Sequence, residues 1–315
     1  MVGHDHQVRA LVTAEFTDDG VARLRALGFE VVRAGWGVTR QALDRDALVA
    51  AASGAELLIT ELETVDAQVL AALPALRAVG TARGGPVNVD HRACAARGIP
   101  VFATPGRNAD SVADFTIGVL LSLTRRIAEG ERHLRGQGWL VGKELPYLHF
   151  RGPELAGLVL GIVGYGAIGS RVAQRATAGF GMQVLVHDPL HPDSLPLAEL
   201  AERVDVLTVH CPRTPETLGL VDAAVLARLR PRGYVINTAG GGIVEEAALV
   251  AALHAGRLAG AALDVFGTEP LPRDSPLLTA PHLMLTPHLA GAADDVVRRH
   301  TEQLCAAVED WHRSR

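Results

Sequence analysis

The run Leu158-Val-Leu-Gly-Ile-Val163 passes directly into Gly164-Tyr165-Gly166-Ala167-Ile168-Gly169, and a helical run, Ser170–Ala178, follows. An apolar strand, three glycines at this spacing and a helix start together form a turn that binds the diphosphate of a dinucleotide. Gly164 permits the tight turn, Gly166 lets the main chain approach the pyrophosphate, and Gly169 allows close packing of helix on strand. The first N–H groups of the helix then meet the phosphates with the positive end of the helix dipole. In a chain with 33 glycines such spacing arises easily, so the context has to support it. The next apolar run, Gln183-Val-Leu-Val-His187, ends on Asp188, nineteen residues after Gly169. A carboxylate there accepts hydrogen bonds from ribose hydroxyls and repels a 2′-phosphate. No arginine stands at 189–191 to hold such a phosphate. The expected cofactor is NAD in preference to NADP; the plainer alternative is an aspartate that merely caps a helix in a βα loop.

The elements around this turn repeat one rhythm. Val8–Thr13, Glu30–Arg33, Leu57–Thr60, Arg77–Gly80 and Pro100–Phe102 read as short strands, separated by helical patterns such as Asp19–Leu27, Asp46–Ala52 and Val65–Leu73. One long helical pattern, Asp110 to about Arg135, leads into a segment, 136–153, that holds six Gly and Pro residues and reads as a crossing. A second series has strands Leu158–Val163, Gln183–His187, Val206–His210, Tyr234–Asn237, Ala259–Asp264 and Leu283–Thr286. Strands alternating with helices predict an α/β protein with two doubly wound parallel sheets. The final helix, Asp294–Trp311, has no partner sequence of its own and is expected to pack back on the first domain. The predicted domains are 1–103 with 289–315, and 104–288, with a cleft between them.

Composition excludes several other classes. Hydrophobic residues make up 48% of the 315 and charged ones 21%, a globular and not a disordered balance. A net charge of −5 argues against a nucleic-acid platform. The longest apolar runs, such as Ile117–Leu121, are too short to span a bilayer, and the first residues lack the apolar stretch of a signal peptide. Cys94, Cys211 and Cys305 form no C-x-x-C pair, which fits a reducing compartment; the cytoplasm is the expected location. Lys143 is the single lysine and lies in a polar linker, so Schiff-base chemistry is set aside. Neither His4 and His6 nor His187 and His191 come with the further ligands of a metal site, and none is expected.

Past the dinucleotide turn, further motifs resemble one family, the D-isomer-specific 2-hydroxyacid dehydrogenases. Arg83-Gly-Gly-Pro-Val-Asn-Val-Asp90 is similar to the family's substrate-carboxylate turn, and Thr104-Pro-Gly-Arg-Asn-Ala-Asp-Ser-Val-Ala-Asp114 to the start of its inter-domain helix. Val209-His-Cys-Pro-Arg-Thr-Pro-Glu-Thr217 resembles the loop beside the adenine and ribose. Ala262-Leu-Asp-Val-Phe-Gly-Thr-Glu-Pro270 and Thr286-Pro-His-Leu-Ala-Gly291 resemble the segments that carry its acid–base pair. The resemblance implies a flavodoxin-like substrate domain, a Rossmann NAD domain, a small 2-hydroxyacid or 2-oxoacid substrate and a homodimer without nucleic-acid or membrane partners. It assigns His288 as the acid–base group and Glu269 as its carboxylate partner. An imidazole titrates near neutral pH, and a buried carboxylate stabilises its protonated form. His282, slightly earlier, is read as structural. Cofactor contacts are implied for Gly164, Tyr165, Gly166, Ala167, Ile168, Gly169 and Asp188. They are implied also for His210, Cys211, Pro212 and Thr217, for Thr238 and Ala239, and for Asp264, His288 and Ala290. Arg83, Gly84, Gly85 and Arg107 are implied on the substrate side.

One position departs from the pattern. Where the family has N-T-A-R-G-G, this chain reads Asn237-Thr-Ala-Gly240-Gly-Gly242, so the arginine that grips the substrate carboxylate is Gly240; Glu245, where aspartate is usual, is a milder departure. Composition does not forbid an arginine there, since all of the 30 basic residues except Lys143 are arginines. Three explanations stay open. The enzyme uses a substrate that needs no such clamp, or recruits Arg83 or Arg107; the chain is an NAD-binding protein with little turnover; or Gly240 is an engineered replacement. Retention of Glu269, His288 and the NAD turn favours an oxidoreductase. Restoring the cation by Gly240→Arg is then expected to raise activity on 2-oxoacids by roughly ten- to a hundredfold.

Overall fold

Short β-branched and apolar runs become eleven strands, all paired in parallel, in a computed structural model that describes residues 8–85 and 87–315. The first five are β1 (Val8–Val12), β2 (Phe29–Arg33), β3 (Ala55–Thr60), β4 (Ala78–Thr81) and β5 (Val101–Phe102), in the sheet order β2-β1-β3-β4-β5. That is the flavodoxin-like order. The other six are β6 (Val159–Val163), β7 (Gln183–His187), β8 (Val206–Val209), β9 (Gly233–Asn237), β10 (Leu258–Leu263) and β11 (Leu283–Leu285). Their order, β11-β10-β9-β8-β6-β7, puts the switch point at β6, where the chain winds first to one side and then to the other.

Two compact units result, Met1–Arg107 with Ala293–Arg315, and Asn108–Ala292. Their boundaries fall slightly later than the 103/104 and 288/289 read from the sequence. His4, His6 and Pro86 of the Arg83–Asp90 turn lie outside the described residues.

Alternation along each strand feeds two apolar layers per sheet. In the first unit Ala10, Val12, Leu57 and Ile59 pack on one face with Leu304, Cys305 and Val308 from the helix Asp294–Arg313. Leu11, Leu58 and Val79 face the other way, onto Leu48, Leu70 and Cys94. In the second unit Val163, Leu207, Val209 and Val235 fill one layer, and Leu160, Ile162, Val206 and Ile236 the other. Helix starts follow local chemistry: Asp44, Asp66, Asp90 and Asp222 each accept a hydrogen bond from the N–H three residues on, at 2.9 Å.

The long helix expected over 110–135 is two helices, Ala109–Thr124 and Ile127–Gln137, broken at Arg125 and Arg126. Arg126 takes a left-handed φ of 53°, its guanidinium bonded to Glu129 and, at 2.7 Å, to the carbonyl of His149. Gly152 packs so tightly on the Thr124 carbonyl that a Cβ there would collide with it. The break is imposed by the 146–152 segment, which no Gly or Pro at 124–127 announces.

Candidate active site

The glycine turn is built as its residue types require. Gly164 sits at φ 93°, where its N–H donates to the His187 carbonyl at 2.8 Å and a Cβ would strike the backbone of Cys211. A Cβ on Gly169 would strike the Gly164 carbonyl, so helix and strand meet at glycine distance. At Gly166, by contrast, a Cβ would meet nothing within 4 Å: the space over this residue is open. Gly166 also caps the helix Ala167–Phe180 without a side-chain hydrogen bond, which leaves the first N–H groups to a ligand. Tight turn, open approach and uncapped helix start are the cradle a dinucleotide diphosphate needs, so these residues fit the cofactor.

Asp188 follows β7 as expected. Its carboxylate accepts from the N–H of Tyr165 at 2.6 Å and of Leu190 at 2.8 Å, and these bonds hold it below the usual carboxylate range. Each oxygen keeps a lone pair for a ribose hydroxyl. His210 is placed otherwise than a ligand-facing group would be. Its ring turns inward, Nε2 lies 2.9 Å from Thr208 Oγ1, Nδ1 has no partner among the described residues, and burial pushes the pKa down to about 3. Thr217 braces its own loop, its Oγ1 donating to the Pro212 carbonyl at 2.7 Å and accepting from the Thr214 N–H at 2.8 Å.

Because β8, β9, β10 and β11 are neighbours in that sequence, the loops after them share one edge of the sheet. Asn237 ends β9 fully buried, accepting from the Ala239 N–H at 3.0 Å and donating to the Gly240 carbonyl at 2.9 Å. Thr238 Oγ1 meets Thr116 Oγ1 at 3.1 Å. Gly241 packs directly on the Phe266 carbonyl, and the Phe266 N–H donates to Glu269 Oε1 at 2.9 Å. Glu269 Oε2 lies 2.8 Å from His288 Nδ1. The two groups paired by resemblance are thus in hydrogen-bond contact. Burial pushes Glu269 up, but the bonds from His288 and Phe266 outweigh it and hold the carboxyl below its ordinary range.

The expectation of a buried carboxylate needs correction. The Glu269 side chain is 37% exposed and that of His288 64%, because both stand on loops beyond the strand ends. Asp264 is the buried carboxylate of this edge. It accepts from Thr286 Oγ1 at 2.6 Å, the Leu289 N–H at 2.8 Å and the Ala290 N–H at 2.8 Å, while its carbonyl takes the His288 N–H at 2.9 Å. These bonds hold His288 at a left-handed φ of 56°. Sequence reading assigned Asp264 a cofactor contact and missed this anchoring role; the signal was an aspartate one residue past an apolar strand. His282 precedes β11 at the opposite sheet end and pairs with Glu129 at 3.0 Å.

Gly240 has a φ that any L-residue adopts, yet a Cβ there would lie 2.9 Å from Arg213 Cβ and 3.6 Å from Arg213 Cδ. Arg213, from the loop after β8, therefore covers the position of the absent side chain. In the first unit, Arg83 Nε donates to the Glu61 carbonyl at 2.7 Å. Arg107 lies 3.4 Å from the Glu61 carboxylate and 3.1 Å from His300 Nδ1, largely buried, which lowers its pKa. Gly85 is open, and a Cβ on Gly84 would lie 3.5 Å from Pro105 Cα. Cys94, Cys211 and Cys305 are unpaired thiols, and no cluster of three or more potential metal ligands occurs among the described residues. No helix among them is long and apolar enough to cross a membrane.

A parallel sheet carrying this cradle at its switch point and an imidazole–carboxylate pair at the same edge defines a dinucleotide-dependent oxidoreductase. Comparison with known proteins gives the family. The family model "D-isomer specific 2-hydroxyacid dehydrogenase, NAD binding domain" matches residues 117–290. A protein named putative 2-hydroxyacid dehydrogenase YoaD, from Bacillus subtilis, is 38% identical, covering 96% of this chain and 90% of that one. D-3-phosphoglycerate dehydrogenase of Mycobacterium tuberculosis is 41% identical over 84% of this chain, which spans 51% of that longer protein. A crystal structure of a Thermus thermophilus protein superposes with a TM-score of 0.83 at 36% identity, covering 96% of this chain and 97% of that one. The chain belongs to the D-isomer-specific 2-hydroxyacid dehydrogenase family, and it is an oxidoreductase with a nicotinamide cofactor.

Proposed function

We propose that this protein transfers a hydride between NAD(H) and a small 2-hydroxyacid or 2-oxoacid, with His288 as the acid–base group and Glu269 as the group that orients it. The 2.8 Å contact between His288 Nδ1 and Glu269 Oε2 carries this reading. With Nδ1–H donated to the carboxylate, Nε2 is left to hold or take the transferred proton. In reduction Nε2–H gives its proton to the keto oxygen, whose carbon receives the hydride, and the product is the hydroxyl; in oxidation Nε2 takes the proton back. The nicotinamide, when bound, supplies or accepts that hydride. Gly164, Gly166 and the uncapped helix start hold the diphosphate, and Asp188 holds the ribose and disfavours NADP. Asp264 has one acceptor site left on Oδ2, beside Ala290, for the carboxamide end of the cofactor.

The molecule works as a homodimer joined through the second unit, in a reducing compartment, the cytoplasm, that suits three free thiols. The absence of a cation on Gly240 supports a second reading, an NAD-binding protein with little turnover. One assay separates them: NADH oxidation against a panel of 2-oxoacids. Turnover is expected, and His288→Ala should lower it by about a hundredfold or more while the variant still binds NADH. Full activity in His288→Ala would refute the acid–base assignment, and NADH binding without turnover of any 2-oxoacid would favour the second reading.

A further inference from the structure

Gly240 lacks a side chain, but the space that side chain would fill is not empty. The stem of Arg213 crosses it, with Cβ 2.9 Å and Cδ 3.6 Å from where a Cβ on residue 240 would stand. Gly240 is buried as a result, although it lies at a strand end on the edge where ligands bind in open α/β folds. Cys211 packs on the Gly164 turn and Arg213 on the β9 end, so this loop runs from the diphosphate cradle towards the Phe266–Glu269–His288 group. The loop is held in shape from within by the bonds among Pro212, Thr214 and Thr217.

The charge of Arg213 has no partner among the described residues. It makes no ion pair or hydrogen bond with any described residue, and it is exposed. The other two candidate cations are committed elsewhere, Arg83 to the Glu61 carbonyl and Arg107 to the Glu61 carboxylate and His300. An unpaired guanidinium offers a planar fork of donors that matches a carboxylate, with two parallel bonds available.

We propose that Arg213 binds the carboxylate of the 2-oxoacid or 2-hydroxyacid substrate, in place of the arginine that Gly240 replaces. The proposal rests on the reading of the site as a 2-hydroxyacid dehydrogenase. It also reverses the expectation for Gly240→Arg: the new side chain collides with Arg213 Cβ, and that single change brings no gain.

The test uses the NADH-loaded full chain and oxamate, an unreactive 2-oxoacid analogue, with calorimetry for binding and NADH oxidation for turnover. Arg213→Gln should weaken oxamate binding and raise KM for the 2-oxoacid by about ten- to a hundredfold, with NADH affinity unchanged. Arg213→Lys should recover part of the loss. Arg213→Gly combined with Gly240→Arg should recover more than Arg213→Gly alone, because the nearest obstruction is gone, Ile243 Cδ1 at 3.3 Å being the end of a flexible side chain, and the cation returns from the other loop. Oxamate binding in Arg213→Gln equal to that of the unmodified chain overturns the proposal, as does an equal loss of NADH affinity, which would assign the cation to the cofactor. If the unmodified chain neither binds oxamate nor oxidises NADH with any 2-oxoacid, the dehydrogenase reading itself fails first.

Discussion

Asp188 is the side chain on which the proposed preference for NAD over NADP rests. Its carboxylate is already fixed by the Tyr165 and Leu190 N–H groups, so it cannot swing away from a 2′-phosphate without breaking both bonds. A like charge in a partly screened site is worth more than the ~1.4 kcal/mol that gives tenfold selectivity. Titration of both cofactors should therefore show NAD bound at least roughly tenfold more tightly than NADP, and Asp188→Ala should narrow that ratio. Equal affinities in the unmodified chain would remove the assignment. Asp188 was legible as a candidate from its place after an apolar strand, and His288 and Glu269 from the motifs that resemble the family. Arg213 was not: a motif gives the order of residues along one loop, and whether that loop leans over the next strand end is decided by packing.

Elements were read correctly where their signals are local. Every strand inferred from apolar runs is present within two residues at either end, and the N-capping aspartates mark helix starts. The failures are where tertiary contacts overrule the pattern, as at Arg126, or where helices such as Leu197–Arg203 and Ala223–Arg228 are too short for periodicity to stand out. The helix Asp294–Arg313 illustrates what an element imports with it. It brings His300, fully buried, whose Nε2–H donates to the Glu15 carbonyl at 2.6 Å while Nδ1 receives Arg107 at 3.1 Å. Burial, helped by the Arg107 charge, lowers its pKa to about 4. Here the folded state refuses a proton that the unfolded chain accepts near pH 6.5, so stability is full above that pH and falls as acid is added towards pH 4. The loss should reach on the order of 2–3 kcal/mol from this group. Chemical denaturation between pH 7 and 4 checks it: His300→Gln should lower stability at pH 7 yet flatten the slope, and an unchanged slope would contradict it.

On the scale of the whole molecule, apolar surface is unevenly spread. Among the described residues, seven of the fourteen exposed large apolar side chains fall in 127–148, including Ile127, Leu134, Trp139, Tyr147 and Leu148. The helix Ile127–Gln137 buries none of its residues. Such a concentration marks an association surface more than a solvated one. We propose it as the contact of the homodimer, and Trp139→Glu with Leu148→Glu should then give a monomer in sedimentation with the dinucleotide site intact. A dimer that survives both changes would place the interface elsewhere.

The division of the core of the first unit has a consequence for how the protein is made. Leu304, Cys305 and Val308 close a layer begun by Ala10 and Val12, and the entire second unit, Asn108–Ala292, lies between them in the chain. On the ribosome the second unit is complete before the helix that finishes the first has been synthesised. Domains ordinarily fold as they emerge, in order from the N-terminus. Here that order is inverted: the part synthesised first must wait, with one apolar layer of its sheet covered only by the helix Asp18–Ala26, for a helix translated after the whole nucleotide unit.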